Sequence, residues 1–522
     1  MSKILTFSYF AATLCMIDTA KILGVFPTPS VSHQAVFRVL IQELVRRGHE
    51  VVTITADPAF PQGEAPANLT EIDLHDISYN FLRDLLPEVV NEYEYGKESS
   101  WIKLEELLQR FWPVLELQLK SETMQKFIQE KRNFDILLIE AYARPAIAYS
   151  YLFKAPVILV SSFGATLENL QTFGASTHPT LYPIPFRQRL FNLSLWDKLR
   201  EYYYHVQYFM FTQKSNERFD NELVQRMFGP NVPPVSELNK NVDMIFLNVH
   251  PIWMNNQPVP PGIVFMGGLH QKPIKELPQD LKSYLDSSKT GVIYVSFGTN
   301  VHPMMFPAER LNIITEALSE LPYDILFKWN DDELPGRTKN IKISKWMPQS
   351  DVLRHPKVKA FVMQGGLQST DEAITAGVPL VCIPMLGDQW YNAEKYVQLN
   401  IGLKLDLYKL TKTELKNAIE TVVSNRSYRE NIVRLRGVMS DQPQSPLERA
   451  VWWVEYVLRH GGARHLRAPA ANMPWTEYFE LELVLILLSC LLISFSIGLT
   501  VVIWIWRYVT KFLNYNDKVK IH

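Results

Sequence analysis

Short apolar runs alternate with helical spacing in the first half of the chain, which predicts an α/β fold with a parallel sheet. Residues 21–26 (KILGVF) are almost all apolar. From Gln34 to Gly48, apolar side chains recur every three to four residues, the spacing of an amphipathic helix. Residues 51–55 (VVTIT) are rich in β-branched side chains, as strands are. Strand, helix and strand in this order form the unit from which parallel sheets are built.

Further apolar runs predict that this sheet continues and that a second sheet follows. FDILLIEA, APVILVSS and VDMIFLNVH have the composition of buried strands. A second series begins near residue 276 with GVIYVSFGT, YDILFKWN, IKISKW, VKAFVM and PLVCIP. The proline-rich stretch at 251–275 separates the two series and is typical of a linker. Two such domains in succession enclose a cleft, and ligands of parallel sheets bind at the carboxyl ends of strands.

The pattern is least regular at 164–235, where aromatic residues and prolines are frequent. The aromatic side chains between 165 and 210 have three interpretations: they line an apolar pocket, they lie on a membrane surface, or they belong to the core. The sequence leaves all three open.

The longest apolar runs lie near the two ends of the chain. Lys3 and the apolar run after it are typical of a secretory signal peptide ending at Ala20. From Leu483 to Trp506 the chain carries no charge over 24 residues, against roughly 20 that a membrane-spanning helix needs. Basic residues follow this run, so the positive-inside rule predicts a cytosolic tail and a lumenal body. The final residues, KVKIH, resemble a signal for retrieval to the endoplasmic reticulum, although an ordinary basic tail has the same residues.

Composition and cysteine count narrow the function classes. The formal net charge of −1 gives no indication of nucleic acid, whose binding proteins carry a basic surface. Cys15 lies in the predicted signal peptide and Cys490 in the predicted span, so Cys382 is the lone lumenal cysteine and no lumenal disulfide can form within the chain. A zinc site is not favoured. The candidate N-glycosylation triplets begin at Asn68, Asn192 and Asn425.

A glycine pair marks the first candidate ligand site. In FVMQGGLQSTDEA, a predicted strand ends at Gln364-Gly365-Gly366 and a helix begins. Glycines let a ligand approach the backbone, and a helix amino terminus favours phosphate. Glu372, one turn into the helix, is placed to accept hydrogen bonds from ribose hydroxyls. Simple turn chemistry would use the same glycines.

Polar residues after the neighbouring strands favour the ligand interpretation. In KWMPQ, Trp346 offers a ring for stacking on a base and Gln349 an amide for its edge. In DQWYNA, Asp388 and Gln389 offer acceptors and donors for sugar hydroxyls. An aromatic ring, an amide, a glycine pair and an acid at successive strand ends fit one extended nucleotide-sugar.

Residues 346–392 resemble the signature of the UDP-glycosyltransferase family, roughly W-x-P-Q, H-G-G, E and D-Q-x-x-N. The likeness extends over the whole chain, and QGGLQSTDEA is most similar to the invertebrate, moth-like branch. The resemblance implies an α/β GT-B fold with two Rossmann-like doubly wound domains facing across a cleft, plus a carboxy-terminal transmembrane helix. It also implies transfer of a hexose, preferentially glucose, from a UDP-sugar to a small lipophilic hydroxylated acceptor, in detoxification or hormone conjugation and without a metal.

The predicted divisions follow from these patterns and this resemblance. They are a signal peptide at 1–20, an amino-terminal acceptor-binding domain at 21–250, a linker at 251–275, a carboxy-terminal UDP-sugar-binding domain at 276–440, a return helix and juxtamembrane segment at 441–478, a transmembrane helix at 479–507 and a cytosolic tail at 508–522. The expected location is the endoplasmic reticulum membrane, as a single-pass type I glycoprotein with the lipid bilayer as a partner. Whether the chain forms a homo-oligomer is left open.

The resemblance also implies roles for individual residues. Trp346 would stack on uracil and Gln349 bond it, Gly366, Ser369 and Thr299 would contact the diphosphate, Glu372 would hold the ribose, and Asp388 and Gln389 would bind the sugar. Two residues depart from the family pattern. Gln364 stands where the family has histidine, so it can donate to a phosphate oxygen but carries no charge, and Glu140 stands where the family has aspartate.

The predicted catalytic pair is His33 and Glu140. Activation of a hydroxyl takes a base with a pKa near neutrality, and histidine fits. Taken alone, His33 at a helix start is more often structural, but it matches the family's catalytic base. The family's partner aspartate corresponds to Glu140, since the competing Asp135 begins the same strand and lies at the wrong end. The implied mechanism inverts the configuration of the anomeric carbon.

Two questions stay open from the sequence. The chain is alternatively a catalytically weak or inactive relative that binds a UDP-sugar or a lipophile, for which Gln364 and Glu140 are the arguments. The intact His33 and the Asp388–Gln389 pair argue against it. UDP-glucose is the preferred donor, and UDP-glucuronate would need a cation near C6 of the sugar that the sequence does not identify.

Overall fold

A computed structural model describes residues 19–92, 101–185, 187, 189–212, 214, 217–299 and 307–519. The signal peptide predicted at 1–20 lies outside the described residues except for its last two positions. The final three residues of the predicted tail, 520–522, also lie outside them.

The chain forms two series of strands and helices. The strands are β1 (Lys21–Phe26), β2 (Glu50–Thr55), β3 (Leu69–Asp73), β4 (Ile136–Glu140), β5 (Val157–Ser161), β6 (Val242–Leu247), β7 (Ile263–Phe265), β8 (Val292–Ser296), β9 (Asp324–Lys328), β10 (Ile341–Ser344), β11 (Val358–Met363), β12 (Leu380–Cys382) and β13 (Gly402–Lys404). The helices up to β8 are α1 (Val31–Arg46), α2 (His75–Glu92), α3 (Trp101–Phe111), α4 (Pro113–Lys120), α5 (Glu122–Gln129), α6 (Tyr149–Phe153), α7 (Leu167–Phe173), α8 (Leu195–Phe211), α9 (Glu217–Phe228), α10 (Val235–Leu238) and α11 (Gln279–Ser287). The later helices are α12 (Ala308–Ser319), α13 (Gln349–Leu353), α14 (Leu367–Ala376), α15 (Gln389–Gln398), α16 (Lys412–Ser424), α17 (Arg426–Ser440), α18 (Pro446–His460), α19 (Trp475–Tyr478) and α20 (Leu481–Val519).

The first sheet is parallel throughout the described residues, in the order β3-β2-β1-β4-β5-β6-β7. Successive side chains of a strand face opposite sides, so β1 sends Leu23 and Val25 into one core and Ile22 and Phe26 into another. Burial on both faces explains why these strands are continuous apolar runs in the sequence.

The second sheet is also parallel, in the order β10-β9-β8-β11-β12-β13. Its strand order reverses between β8 and β11, as that of the first sheet reverses between β1 and β4. A crevice for ligands forms outside the carboxyl ends of strands at such a reversal. The two predicted parallel α/β domains are thereby confirmed, and each sheet has one reversal point.

The stretch predicted as a linker, 251–275, contains structure that belongs to the first sheet. A 3₁₀ turn covers Pro251–Met254, and β7 pairs in parallel with β6. β7 has three residues and lies between prolines and glycines. It is therefore shorter than the apolar runs from which strands are usually predicted. The chain leaves the first sheet only after Phe265.

Helix α18 returns from the second domain to the first. Its buried Val451 and Val454 share a core with Val36 and Leu40 of α1. The segment after it is tied down by Asp243 of β6, whose buried carboxylate accepts hydrogen bonds from the backbone N–H groups of Val157 at 3.1 Å and Ala463 at 2.8 Å.

The last helix, α20, is a candidate membrane span. Its portion Leu481–Leu513 covers 33 residues with a mean hydropathy of 2.6, and none of it is buried in the protein. The sequence predicted a span at 479–507; the helix begins two residues later and continues to Val519.

We expect Asp243→Ala to lower the thermal unfolding midpoint of the chain in detergent. The substitution leaves two buried backbone N–H groups without an acceptor, at a cost of about 2–6 kcal/mol, which should lower the midpoint by several degrees. Asp280→Ala, at an exposed position of α11, is the matched control and should change the midpoint little. An unchanged midpoint for Asp243→Ala would show that the carboxylate does not hold the returning segment.

Candidate active site

His33 and Glu140 meet at the reversal point of the first sheet. His33 lies in the first turn of α1, after β1, and Glu140 is the last residue of β4. The His33 Nδ1 atom is 3.1 Å from Glu140 Oε1. Glu140 is 1% exposed, and its second oxygen accepts a hydrogen bond from the Thr28 backbone N–H at 3.2 Å. With both oxygens engaged, the carboxylate fixes the orientation of the imidazole.

Aromatic rings surround this pair. The ring centroids of Tyr142 and Phe163 lie 6.0 Å and 5.8 Å from that of His33, and Trp112 packs edge-on against Tyr142. Burial raises the pKa of the Tyr142 hydroxyl well above its usual value, so this ring stays neutral. Aromatic side chains therefore surround the imidazole. Its Nε2 atom remains available on the side of the cleft.

Asp388 brings a carboxylate from the second domain to the same place. It is the residue before α15, and Asn392 Nδ2 donates to its Oδ2 at 3.0 Å. Burial raises the pKa of Asp388 to about 6, an effect that the Asn392 hydrogen bond and the nearby charge of His33 oppose. The two domains thus place His33 and Asp388 within electrostatic reach of each other.

The glycine pair has the conformation that its sequence position suggested. Gly365 has a φ of +100°, and a Cβ there would lie 2.8 Å from Cys382 Sγ and 3.0 Å from the Gln389 carbonyl oxygen. Gly366 is the N-cap of α14, with a φ of −63°. The chain therefore turns sharply out of β11 and leaves the first backbone N–H groups of α14 facing the cleft.

Gln349 ties the predicted base and ribose contacts into one network. Its Nε2 donates to Ser369 Oγ at 2.8 Å and to Glu372 Oε2 at 2.6 Å, and Tyr294 donates to its Oε1 at 3.2 Å. Burial raises the pKa of Glu372, while the Gln349 hydrogen bond opposes the rise. The sequence predicted Gln349 and Glu372 as separate contacts, and their mutual hydrogen bond was not foreseen.

Trp346 lies after β10 with two thirds of its surface exposed. The ammonium of Lys328 lies 5.5 Å from the centre of its ring and donates to the Gly298 carbonyl oxygen at 2.9 Å. Burial lowers the pKa of Lys328. Sequence reasoning missed Lys328, although a lysine at the end of the apolar run ILFK was a signal for a cation at a strand's carboxyl end.

Gln364 and Thr299 lie at the reversal point of the second sheet. The Gln364 amide nitrogen packs against Gly298, which has a φ of +81°, and a Cβ at this position would overlap that nitrogen. The Gln364 Oε1 atom is buried and has no partner within the described part of the chain. Thr299 follows β8 and is exposed. Both residues therefore border the loop between β8 and α12.

Gln389 has a structural use that the sequence did not indicate. Its Oε1 accepts the backbone N–H groups of Met385 and Leu386 at 2.8 Å and 2.9 Å. This holds the loop that presents Asp388, so only the Nε2 donors of Gln389 remain for a ligand.

A family model described as UDP-glucoronosyl and UDP-glucosyl transferase matches residues 20–518. The chain belongs to the UDP-glycosyltransferase family. The ecdysteroid UDP-glucosyltransferase of Lymantria dispar multicapsid nuclear polyhedrosis virus is 38% identical over 488 residues, covering 91% of this chain and 94% of that protein. The protein of the same description from Spodoptera littoralis nuclear polyhedrosis virus is 36% identical over 485 residues, covering 89% and 93%.

Solved structures confirm the fold. A UDP-glucose: anthocyanidin 3-O-glucosyltransferase in complex with UDP superposes with a TM-score of 0.57 at 17% identity, covering 85% of this chain and all of that one. The predicted GT-B arrangement of two α/β domains is confirmed. The chain is a UDP-glycosyltransferase, an enzyme of hexosyl transfer with a UDP-sugar as donor.

A pocket opens between the two domains of this glycosyltransferase beside Asp388. Most of its lining is apolar: Phe163, Ala165, Leu167, Leu170, Ile184, Val249, Trp253, Met254 and Leu367. The first domain supplies nearly all of these side chains. Of the aromatic residues between 165 and 210, Tyr182 lines this pocket, which is one of the three interpretations that the sequence left open.

Buried polar contacts hold the domains together next to the site. His270 Nε2 lies 3.2 Å from the Gln368 carbonyl oxygen, and burial lowers the pKa of His270 to about 4, so this imidazole is neutral. Gln271 Nε2 donates to Thr375 Oγ1 at 2.7 Å. These bonds fix α14 relative to the first domain.

The glycosylation candidates differ in their surroundings. Asn68 is half-buried and its Nδ2 donates to the carbonyl oxygens of Val45 and His49 at 2.8 Å and 2.9 Å, whereas Asn192 and Asn425 are exposed. Among the described residues, no three side chains of His, Cys, Asp or Glu are grouped closely enough to share a metal ion.

We expect Gly365→Ala to destabilise the enzyme and Gly366→Ala to be tolerated by the fold. Alanine at a φ of +100° is strained by roughly 1–3 kcal/mol before its contacts with Cys382 and Gln389 are counted. At Gly366 the nearest atom to a new Cβ is the movable amide end of Gln364 at 3.2 Å. The measurement is the thermal unfolding midpoint, and equal midpoints for the two variants would contradict the expectation.

The buried carboxyl of Asp371 should make the stability of the folded enzyme depend on pH. Its carboxyl is 3% exposed, its Oδ2 has no partner among the described residues, and burial raises its pKa to about 8. The folded enzyme therefore binds this proton more tightly than the unfolded chain, and the free energy of unfolding falls as the pH rises from about 4 to about 8.

Asp371→Asn removes this dependence because an amide does not titrate. The gain in unfolding midpoint over the parent should be small near pH 4.5 and increase up to pH 8. Asp84→Asn, at an exposed position, is the control and should show no such increase. An equal gain in unfolding midpoint at pH 4.5 and at pH 8 would show that the Asp371 carboxyl of the folded enzyme is ionised at both pH values.

Proposed function

We propose that this enzyme transfers glucose from UDP-glucose, with inversion, to a hydroxyl of a small lipophilic acceptor. The observation that carries the proposal is the His33–Glu140 pair, which lies within electrostatic reach of Asp388, a residue that lines the apolar pocket. The viral relatives described above are named as UDP-glucosyltransferases, which favours glucose over glucuronate.

His33 acts as the general base in this proposal. Its Nε2 takes the proton of the acceptor hydroxyl, while Glu140, on Nδ1, stabilises the imidazolium that forms. The freed oxygen attacks the anomeric carbon from the face opposite the diphosphate. The bond between that carbon and the diphosphate oxygen breaks, UDP leaves with the electron pair, and the configuration inverts.

The second domain holds the donor. Trp346 stacks on uracil, and Glu372 with Gln349 binds the ribose and the base edge. The N–H groups at the start of α14, Ser369, Thr299 and Gln364 face the leaving diphosphate. Gln364 carries no charge, but Lys328 brings a cation beside it, with its ammonium 2.9 Å from the Gly298 carbonyl oxygen.

The sugar sits between Asp388 and the donors of Gln389. A carboxylate accepts hydrogen bonds from two neighbouring hydroxyls, and the raised pKa of Asp388 falls once such donors approach. Among the described residues that line the pocket no lysine or arginine occurs, which fits a neutral sugar better than glucuronate.

The enzyme is proposed to be anchored in the endoplasmic reticulum membrane by α20, with both domains in the lumen. The support is the length and exposure of Leu481–Leu513 and the lysines that follow it. Signal cleavage near Ala20 and glycosylation at Asn192 and Asn425 belong to the same proposal. Asn68 is a poorer acceptor, because its amide hydrogens are both engaged.

We expect His33→Ala to lower kcat/KM by about 10²–10⁴-fold, the usual contribution of a general base, with little change in UDP affinity. UDP release by membranes that contain the chain would be followed with UDP-glucose or UDP-glucuronate and a panel of phenols and steroids. His355→Ala is the matched control. His355 lies just before β11, at the end of the second sheet opposite to the carboxyl ends of its strands.

The outcomes separate the two hypotheses. Release that requires both an acceptor and His33 establishes the base, and the better donor identifies the sugar. If the chain binds UDP-glucose but releases no UDP with any acceptor, the hypothesis of a binding protein is favoured. Gln364→His and Glu140→Asp would then be the variants to examine. Equal rates for His33→Ala and His355→Ala would exclude His33 as the base.

A further inference from the structure

The 3₁₀ turn at Pro251–Met254 belongs to the first domain, but it is bound to helix α15 of the second domain. The Tyr391 hydroxyl donates to the Trp253 carbonyl oxygen at 2.5 Å. The Lys395 ammonium donates to the Ile252 carbonyl oxygen at 3.3 Å. Tyr391 and Lys395 lie one turn apart on α15, and both are buried. The turn is therefore held against one face of α15 in the interior of the protein.

The indole of Trp253 makes a third contact with the same helix. Its Nε1–H donates to Asn392 Oδ1 at 2.9 Å, and both residues are 2% exposed. The Asn392 amide nitrogen donates in turn to Asp388 Oδ2 at 3.0 Å and to the Gly365 carbonyl oxygen at 2.8 Å. Both polar atoms of the Asn392 side chain are therefore engaged, and one of their partners is the carboxylate proposed to bind the sugar.

The chemistry of these neighbours permits one orientation of the Asn392 amide. An indole N–H can only donate, whereas an ionised carboxylate and the Gly365 carbonyl oxygen can only accept. An amide rotated by 180° would place its oxygen against two acceptors and its nitrogen against a donor. Without the indole N–H, the Asn392 oxygen would be a buried acceptor with no partner, which is costly. Trp253 therefore holds the amide with its donors toward Asp388.

The Asn392 hydrogen bond affects the charge of Asp388. Burial raises the pKa of Asp388 to about 6, and the Asn392 hydrogen bond and the nearby charge of His33 oppose the rise. Three further groups within electrostatic reach are neutral, because burial raises the pKa of each: Tyr142, Cys382 and Tyr396. The Asn392 amide therefore helps to keep this carboxyl ionised, and an ionised carboxyl is the stronger acceptor for sugar hydroxyls.

We propose that Trp253 is a positioning residue for the donor sugar, and that it acts through Asn392 to hold the Asp388 carboxylate in place. The inference rests on the proposed function, in which Asp388 binds the sugar, and it adds a residue of the first domain to the donor site. Because Trp253 and Asp388 belong to different domains, the sugar site is complete only while the turn is docked on α15.

Trp253 also lines the pocket proposed for the acceptor. Its ring and its N–H therefore have separate uses, the ring in the pocket wall and the N–H toward Asn392. A test of the N–H must keep an aromatic ring in the wall, which Trp253→Phe does. Binding measured without an acceptor then leaves any change in the pocket out of the result.

The test measures the dissociation constants of UDP-glucose and UDP for the full-length chain in detergent by titration calorimetry. UDP lacks the sugar, so the ratio of the two constants isolates the contacts made to the sugar. The variants are Trp253→Phe, Asn392→Leu and the two combined. Trp453→Phe is the matched control, since Trp453 packs in the core between α18 and α1 and does not line the pocket.

Trp253→Phe should raise the dissociation constant of UDP-glucose several-fold and leave that of UDP unchanged. In the Asn392→Leu chain the same substitution should have no further effect, because the two residues act as one unit. An unchanged ratio for Trp253→Phe would overturn the inference, and so would equal losses for both ligands, which would show a general structural role. Additive effects of the two substitutions would overturn it as well, because Trp253 would then act independently of Asn392.

Asp388→Asn separates the inference from the function on which it rests. If this variant has a raised ratio while Trp253→Phe keeps the parental one, the positioning role is overturned and the sugar contact stands. If Asp388→Asn itself keeps the parental ratio, Asp388 does not bind the sugar, and the basis of the inference is removed.

A pH profile gives a second readout that a purely structural role would not change. Loss of the Asn392 hydrogen bond leaves the effect of burial less opposed, so the pKa of Asp388 rises further. As the solution is acidified, Trp253→Phe should therefore lose its affinity for UDP-glucose relative to UDP at a higher pH than the parent. Both chains would carry His33→Ala, which removes the charge of the neighbouring imidazole. Coincident profiles would overturn the inference.

Discussion

Burial of both sheets on both faces is the constraint from which the architecture of this enzyme follows. Side chains such as Leu23 and Ile22 enter separate cores from adjacent positions of β1, so the strands have no polar face to offer. Polar chemistry is confined to the strand ends, where the chain turns and the backbone is accessible. His33, Glu140, Gln364 and Asp388 all occur at or just beyond the carboxyl end of a strand.

The sequence predicted the strand ends well, because apolar runs have clear ends. It did not predict contacts that depend on how two strand ends face each other. The bond from Gln349 to Glu372 and the acceptance of two N–H groups by Gln389 are of this kind. β7 was hidden within the predicted linker, since three residues show no periodicity.

The aromatic stretch after residue 164 shows the same limit. Its helical spacing is visible in the sequence, but spacing alone does not say which face of a helix is covered. Of the covering partners of α8, Glu105 comes from a distant part of the chain and Arg187 from the irregular stretch just before the helix. Only their positions separate the residues that line the pocket from those that point to solvent.

The return of α18 to the first domain affects the order in which the protein can fold. Val451 and Val454 complete a core that β1 and α1 begin, and Ala463 fills the last hydrogen bond of Asp243. During synthesis the first domain therefore remains unfinished while the whole second domain emerges from the ribosome. Its closing helix is made only about twenty residues before α20, so the oldest part of the polypeptide is completed within a few seconds of the synthesis of the last helix.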